Sequence, residues 1–305
     1  MSRLYLITGF LGAGKTTFLK RFIRMFRDSR MHIIVNEFGK EGIDGELMRS
    51  LGIALDEINN GSIFCSCRLD KFEEVLQKTL ARDPDVIIVE ASGLSDPTNV
   101  KKILNQRDKF GEVEYRGCIC LADAKQFLKV YDTAAVVKKQ LNVSDLVLLN
   151  KVDLAEKEQV LKVREALRGQ RPDLPVYETS FGQFQETWLD SLQVQESPDD
   201  TELFQTADIT LRKYLLRIRE KADLAELQGF LRMILEDTFR IKGFVRTGEQ
   251  QYLVSGVGNL VEVSPYTGTP ERTNLLVVLS GSGMPVKRAI RTAMQWYPQV
   301  VESVE

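Results

Sequence analysis

Through residue 191, short β-branched runs alternate with longer stretches whose apolar positions recur at helical spacing. That is the pattern of strand–helix units around a mostly parallel sheet, an α/β fold. Leu4 to Thr8 reads as the first strand. Lys15 to Phe26 reads as the helix after it, with Phe18, Leu19, Phe22, Ile23 and Phe26 as its apolar positions. His32 to Val35 is a second strand. Val86 to Val89 is wholly aliphatic, as expected of a strand covered on both faces. Cys118 to Ala122, Leu146 to Leu149 and a short run near Val176 continue the sheet. Helices are expected over Leu69 to Ala81, Ala124 to Leu141 and Glu156 to Leu167.

Residues 192–207 change character. Gln193, Gln195, Ser197, Pro198, Asp199 and Asp200 make this stretch polar and rich in breakers, so it reads as a linker between domains 1–191 and 208–305. Beyond it the order is strand (Ile209 to Ile218), helix (Leu224 to Leu235), three strands (Phe239 to Arg246, Gln251 to Val257, Thr273 to Leu279) and helix (Val286 to Tyr297). Such an order predicts a smaller α+β domain, for which a ferredoxin-like arrangement is one solution.

The 305 residues suffice for two domains with cores of their own, and 43% hydrophobic with 28% charged residues is ordinary globular composition. A net charge of -2 and a pI near 5.8 argue against a broad surface for nucleic acid or anionic membrane. The N-terminus runs directly into the first strand, and no run approaches the roughly 20 apolar residues of a membrane helix. A cytoplasmic location is therefore expected, with the four cysteines reduced rather than paired.

Gly9-Phe10-Leu11-Gly12-Ala13-Gly14-Lys15-Thr16 fits the P-loop pattern, with a strand before it and a helix starting inside it. Glycines let backbone N–H groups wrap phosphates, and the helix N-terminus adds positive potential. Lys15 is expected on the β- and γ-phosphates and the Thr16 hydroxyl on Mg²⁺, with Thr17 beside it. Asn150-Lys151-Val152-Asp153 follows an apolar strand in the arrangement that reads guanine in GTPases. A carboxylate at Asp153 can accept from guanine N1–H and the 2-amino group, and adenine offers no such pair of donors. Thr179 and Ser180 lie where a second loop would touch the base.

Val86 to Val89 leads into Glu90-Ala91-Ser92-Gly93. A carboxylate ending an apolar strand is the position that holds Mg²⁺, directly or through water, and Gly93 would let the chain approach the γ-phosphate. Asn36-Glu37-Phe38-Gly39 offers a second acidic group; on spacing alone Glu37 is as well explained by a structural role.

Together these stretches, with Asn59-Asn60-Gly61, Leu94-Ser95-Asp96-Pro97 and Arg240-Ile241-Lys242-Gly243-Phe244, resemble the CobW-like family of P-loop GTPases, relatives of the UreG and HypB metallochaperones. The resemblance implies a GTPase that delivers a metal or metal-containing cofactor to a client metalloenzyme or corrinoid protein. It also implies a thiolate cluster, Cys-x-Cys-Cys, after Asn60-Gly61. Here that stretch reads Ser62-Ile63-Phe64-Cys65-Ser66-Cys67, so only Cys65 falls on the pattern and Cys67 is displaced by two. The family's histidine-rich tract is absent; His32 is the one histidine, and its strand position marks it as structural.

Soft thiolates select Zn²⁺ and similar ions, Co²⁺ among them. Cys65 and Cys67, with Glu37 as a third ligand, are the candidates. Cys118 and Cys120 alternate along an apolar strand and share one sheet face, which favours core packing over ligation. Two function classes stay open: a GTPase metallochaperone, and a regulatory switch whose GTP state alone governs a partner. A small-molecule kinase fits less well, given the guanine motif. No arginine or glutamine in these motifs is placed to orient water, so unassisted turnover is expected to be slow. The oligomeric state is open, a dimer included.

Overall fold

The computed structural model of the chain describes residues 1–35, 54–57, 69–104, 107–192, 211–258, 260–268, 270 and 272–305. The chain divides into two compact units, Met1–Tyr131 with Ala135–Ala207, and Asp132–Ala134 with Asp208–Glu305.

The first unit is built on seven strands: β1 (Ser2–Gly9), β2 (Met31–Val35), β3 (Ala54–Glu57), β4 (Val86–Glu90), β5 (Val113–Asp123), β6 (Leu146–Asn150) and β7 (Val176–Glu178). Their order is β3-β2-β4-β1-β5-β6-β7, and every pairing is parallel. Helices α1 (Lys15–Phe22), α2 (Leu69–Leu80), α3 (Thr98–Leu104), α4 (Arg107–Phe110), α5 (Phe127–Thr133), α6 (Ala135–Val143) and α7 (Lys157–Gln170) connect them. Alternation along the central strands explains why both sheet faces are covered. Tyr5, Ile7, Ile33, Val35, Ile88 and Ile119 pack with Phe18, Leu19 and Phe22 of α1. Leu4, Leu6, Ile34, Ile87 and Val89 pack with Phe72 and Leu76 of α2 and with Val100 and Ile103 of α3.

The sequence expectation of one helix over Ala124 to Leu141 is corrected: the chain makes α5 and α6 with a break at Ala134. Asp132 and Thr133 precede the break, and both residue types favour caps and turns over helix interiors. Phe26, expected to end the first helix, lies in a 3₁₀ turn, Ile23–Phe26, that continues α1.

The second unit is a six-stranded antiparallel sheet of β8 (Leu211–Ile218), β9 (Arg240–Thr247), β10 (Gln250–Val257), β11 (Leu260–Pro265), β12 (Leu275–Gly281) and β13 (Val301–Val304). The order is β11-β10-β9-β12-β8-β13. Helices α8 (Leu224–Leu235) and α9 (Val286–Trp296) follow β8 and β12. Without β10 and β11, the order β13-β8-β12-β9 and the βαββαβ succession are those of a ferredoxin-like fold, extended here by one hairpin. The Asp223 carboxylate caps α8, accepting from the amides of Ala225 (2.8 Å) and Glu226 (3.1 Å).

An aromatic column fixes α1 against the sheet. Phe22 meets Tyr5 edge-on at 5.4 Å, stacks near Phe18 at 5.1 Å and meets Phe184 edge-on at 5.5 Å. Phe184 in turn meets Trp188, which stacks on Tyr177 at 4.5 Å. Phe22 is fully buried, so Phe22→Ala is expected to cost about 3–5 kcal/mol of stability, read as a lowered midpoint in urea unfolding. An unchanged midpoint would show that the column does not hold α1.

Candidate nucleotide site

The register of the parallel sheet gathers the site. Ile7 pairs with Glu90, Gly9 with Leu121, Asp123 with Asn150 and Leu149 with Glu178. The carboxyl ends of β1, β4, β5, β6 and β7 therefore share one edge, where open α/β sheets bind ligands.

Gly9, Gly12 and Gly14 take positive φ, which bends the chain into a loop between β1 and α1. Lys15 is buried, and its Nζ donates to the carbonyls of Gly9 (2.8 Å) and Phe10 (3.2 Å). Its ammonium thus lies over the loop that would hold phosphates. Thr16 is half-buried and Thr17 exposed in the first turn of α1.

Asn150 ties this loop to the far side of the site. Its Nδ2 donates to Ala13 O (2.9 Å), and its Oδ1 accepts from Gly182 N (3.0 Å). A side chain at Gly14 would put Cβ 2.4 Å from that Nδ2, so the glycine makes room for the brace. Lys151 takes a left-handed conformation (φ 64°) that turns the chain into a short 3₁₀ segment, Val152–Leu154. Its Nζ lies 2.7 Å from Asp123 Oδ2, while Asp123 Oδ1 accepts from the amides of Lys125 (2.9 Å) and Gln126 (3.3 Å). Asp153 is exposed. Thr179 O accepts from Val152 N (3.3 Å), and the Thr179 hydroxyl donates to Gln183 O (2.8 Å), which closes the loop that holds Ser180.

Glu90 ends β4 with only 7% of its surface exposed. Gly93 is buried, and a Cβ there would lie 2.7 Å from Leu11 N. The structure thus brings the P-loop, Gly93, Asn150, Lys151 and Thr179 into one connected set. Glu37, Cys65 and Cys67 lie outside the described residues, as do Asn36, Gly39, Asn59, Asn60 and Gly61. Among the described residues no group of three His, Cys, Asp or Glu converges on one point as a metal ion requires. No described helix is long and apolar enough to cross a membrane.

Cys118 and Cys120 are buried in β5, and desolvation pushes the Cys120 thiol up to about 12. They belong to the core. His32 is 1% exposed, with Nε2 2.8 Å from Asp56 Oδ2 across β2 and β3. Burial lowers its pKa, partly offset by the Asp56 carboxylate, and it acts as a sheet-edge fastener.

Sequence reasoning passed over Asp123 and Gln140. Asp123 carried a signal, a carboxylate just past an apolar strand. Gln140 sits in an otherwise apolar helical face with Val136, Val137 and Leu141, which is itself a sign of a buried task.

A family profile described as "CobW/HypB/UreG, nucleotide-binding domain" matches residues 3–178, more than half of the chain. The chain belongs to the CobW/HypB/UreG family. A second profile, "Cobalamin synthesis protein cobW C-terminal domain", matches residues 211–295. The chain is 32% identical to the zinc chaperone CobW of Sinorhizobium sp, over 52% of this chain and 53% of the relative. It is 33% identical to the zinc chaperone YeiR of Escherichia coli, over 53% and 51%. The matched region thus spans about half the length of these curated relatives. A solved zinc-bound triple mutant of the YjiA GTPase superposes over 97% of this chain and 98% of that one, with a TM-score of 0.50 at 20% identity; this likeness concerns the fold.

Asn150→Ala removes a donor and an acceptor from two buried backbone partners. In this CobW/HypB/UreG member it is expected to lose about 1–3 kcal/mol of stability and to weaken nucleotide binding in parallel. Thermal melts and calorimetric titration with GDP would check both, and an unchanged affinity would remove the brace from the account.

Proposed function

We propose that this protein is a Mg²⁺-dependent GTPase that couples its nucleotide state to the delivery of zinc, or of a metal-containing cofactor, to a client protein. The observation that carries the nucleotide half is the Asn150 amide, which bonds the P-loop at Ala13 and the facing loop at Gly182. Asp153, three residues along, is exposed, which leaves its carboxylate free to meet a guanine edge in this reading. The names of the curated relatives, zinc chaperones, support the metal half.

In this reading Lys15 exchanges its carbonyl partners for phosphate oxygens and carries positive charge to the γ-phosphate. Lys151, held by Asp123, lays its stem along the base. The Thr16 hydroxyl and the buried Glu90 carboxylate are hard oxygen donors of the kind Mg²⁺ takes, and the ion would neutralise charge developing on the phosphates. Unassisted turnover is expected at about 10⁻⁴ to 10⁻² s⁻¹. The register also bears on the metal. Val35, which leads to Glu37, pairs with Glu90, and Glu57, which leads to Cys65 and Cys67, pairs with Val35. β2 and β3 thus both end at the carboxyl edge of the sheet.

A nucleotide switch without its own metal is the second reading, favoured by the departure from Cys-x-Cys-Cys at Ser62 and Phe64.

GTP is expected to bind at least tenfold more tightly than ATP, and Asp153→Asn to move the preference toward xanthine nucleotides, measured by competition against a fluorescent guanine nucleotide. Equal affinities for ATP and GTP in the parent would overturn the assignment. Zn²⁺ affinity is expected to differ between the GDP-bound protein and the form holding a non-hydrolysable GTP analogue, and to fall in a Cys65→Ser/Cys67→Ser variant. Equal zinc binding in both states, or no loss in the variant, would leave the switch in place of the chaperone.

A further inference from the structure

Gln140 lies on α6 with 1% of its surface exposed. Its Nε2 donates to the carbonyl oxygens of Gly93 and Ser95, each at 3.2 Å. Both facing atoms are acceptors, so the amide nitrogen must point to this loop and the oxygen away from it. The oxygen, buried, has no hydrogen-bond partner among the described residues. An amide used on one side only is a weak stabiliser, because a buried acceptor without a donor destabilises the fold. What the side chain does secure is the position of two neighbouring carbonyls.

The next residue back adds a second hold. Lys139 Nζ lies 2.9 Å from Asp96 Oδ2, and Asp96 Oδ1 accepts from the amide and the hydroxyl of Thr98. The segment from Gly93 to Thr98 is therefore gripped from α6 at Gly93, Ser95 and Asp96. On its other side Gly93 rests on the P-loop, where a Cβ would meet Leu11 N at 2.7 Å and Leu11 Cα at 2.9 Å. The loop that begins three residues after Glu90 is thus held between the P-loop and α6. From α6 the chain passes through Ser144 and Asp145 straight into β6 and Asn150.

We propose that Gln140, assisted by Lys139, is a positioning residue that sets the Gly93–Asp96 loop against the P-loop for recognition of the γ-phosphate. The assignment rests on the GTPase reading above. It makes the loop's position matter for GTP and not for GDP, since on that reading Gly93 would meet the third phosphate alone. A residue that merely braced the fold would change both nucleotides alike.

The test uses the full chain as parent, Gln140→Met and Lys139→Ala, with fluorescent GDP, a fluorescent non-hydrolysable GTP analogue and single-turnover GTP hydrolysis. Gln140→Met keeps the volume and removes both donors. It is expected to leave GDP affinity within about twofold while weakening the analogue and slowing hydrolysis about tenfold. Lys139→Ala removes a half-exposed ion pair and is expected to shift the same ratio in the same direction by about two- to threefold. Equal weakening of GDP and analogue, or an unchanged analogue affinity, overturns the assignment. If Gln140→Met does not fold, Lys139→Ala decides by the same ratio. A parent that binds GDP and the analogue, with variants that do not discriminate between them, overturns this assignment alone. A parent that binds no guanine nucleotide overturns the GTPase reading and this assignment with it.

Discussion

The Asn150 side chain is the interaction on which the site's geometry depends. One amide group bonds two loops that the chain places far apart in sequence, the P-loop at Ala13 and the turn at Gly182. Both bonds are buried, so neither is diluted by water. The amide can reach both loops because the sheet order sets β5 between β1 and β6, with all three running parallel. Strand order thus decides which loops can meet, and a single polar side chain converts that adjacency into a fixed span between the P-loop and the turn at Gly182.

Much of this was legible in the sequence, and the reasons are physical. The P-loop and the Asn150–Asp153 stretch are local: the glycines, the lysine and the carboxylate act within a few residues of one another. The strands β1, β4 and β6 announced themselves as aliphatic runs because both sheet faces are buried. The ferredoxin-like core was legible through the order of its strands and helices. Short or exposed elements were not. β11 (Leu260–Pro265) has no buried residue, β13 has four residues, and β3 sits at the sheet edge. Their patterns are too brief to stand above noise. The break at Ala134 escaped because Ala134 and Ala135 support helix on propensity alone.

Long-range roles were the hardest to read. Asp123 acts by holding Lys151, and Gln140 by holding two carbonyls more than forty positions away. Nothing in the neighbourhood of either residue names its partner. Such partners emerge only when the register of the sheet is known. The same register sets the end of β2 beside Glu90 and the end of β3 beside Val35, at one edge of the sheet.

Gly14 and Gly93 sit where any larger side chain would strike Asn150 or the Leu11 backbone. Both are therefore demanded by packing as much as by phosphate. A descendant of this chain that drifted into a role without nucleotides would keep these glycines, since losing them would damage the fold itself. The exposed Asp153 carries no comparable packing duty and would be free to wander. Among distant kin, a glycine signature by itself therefore marks shared ancestry, and an exposed position such as Asp153 tells more about whether a descendant still does the same work.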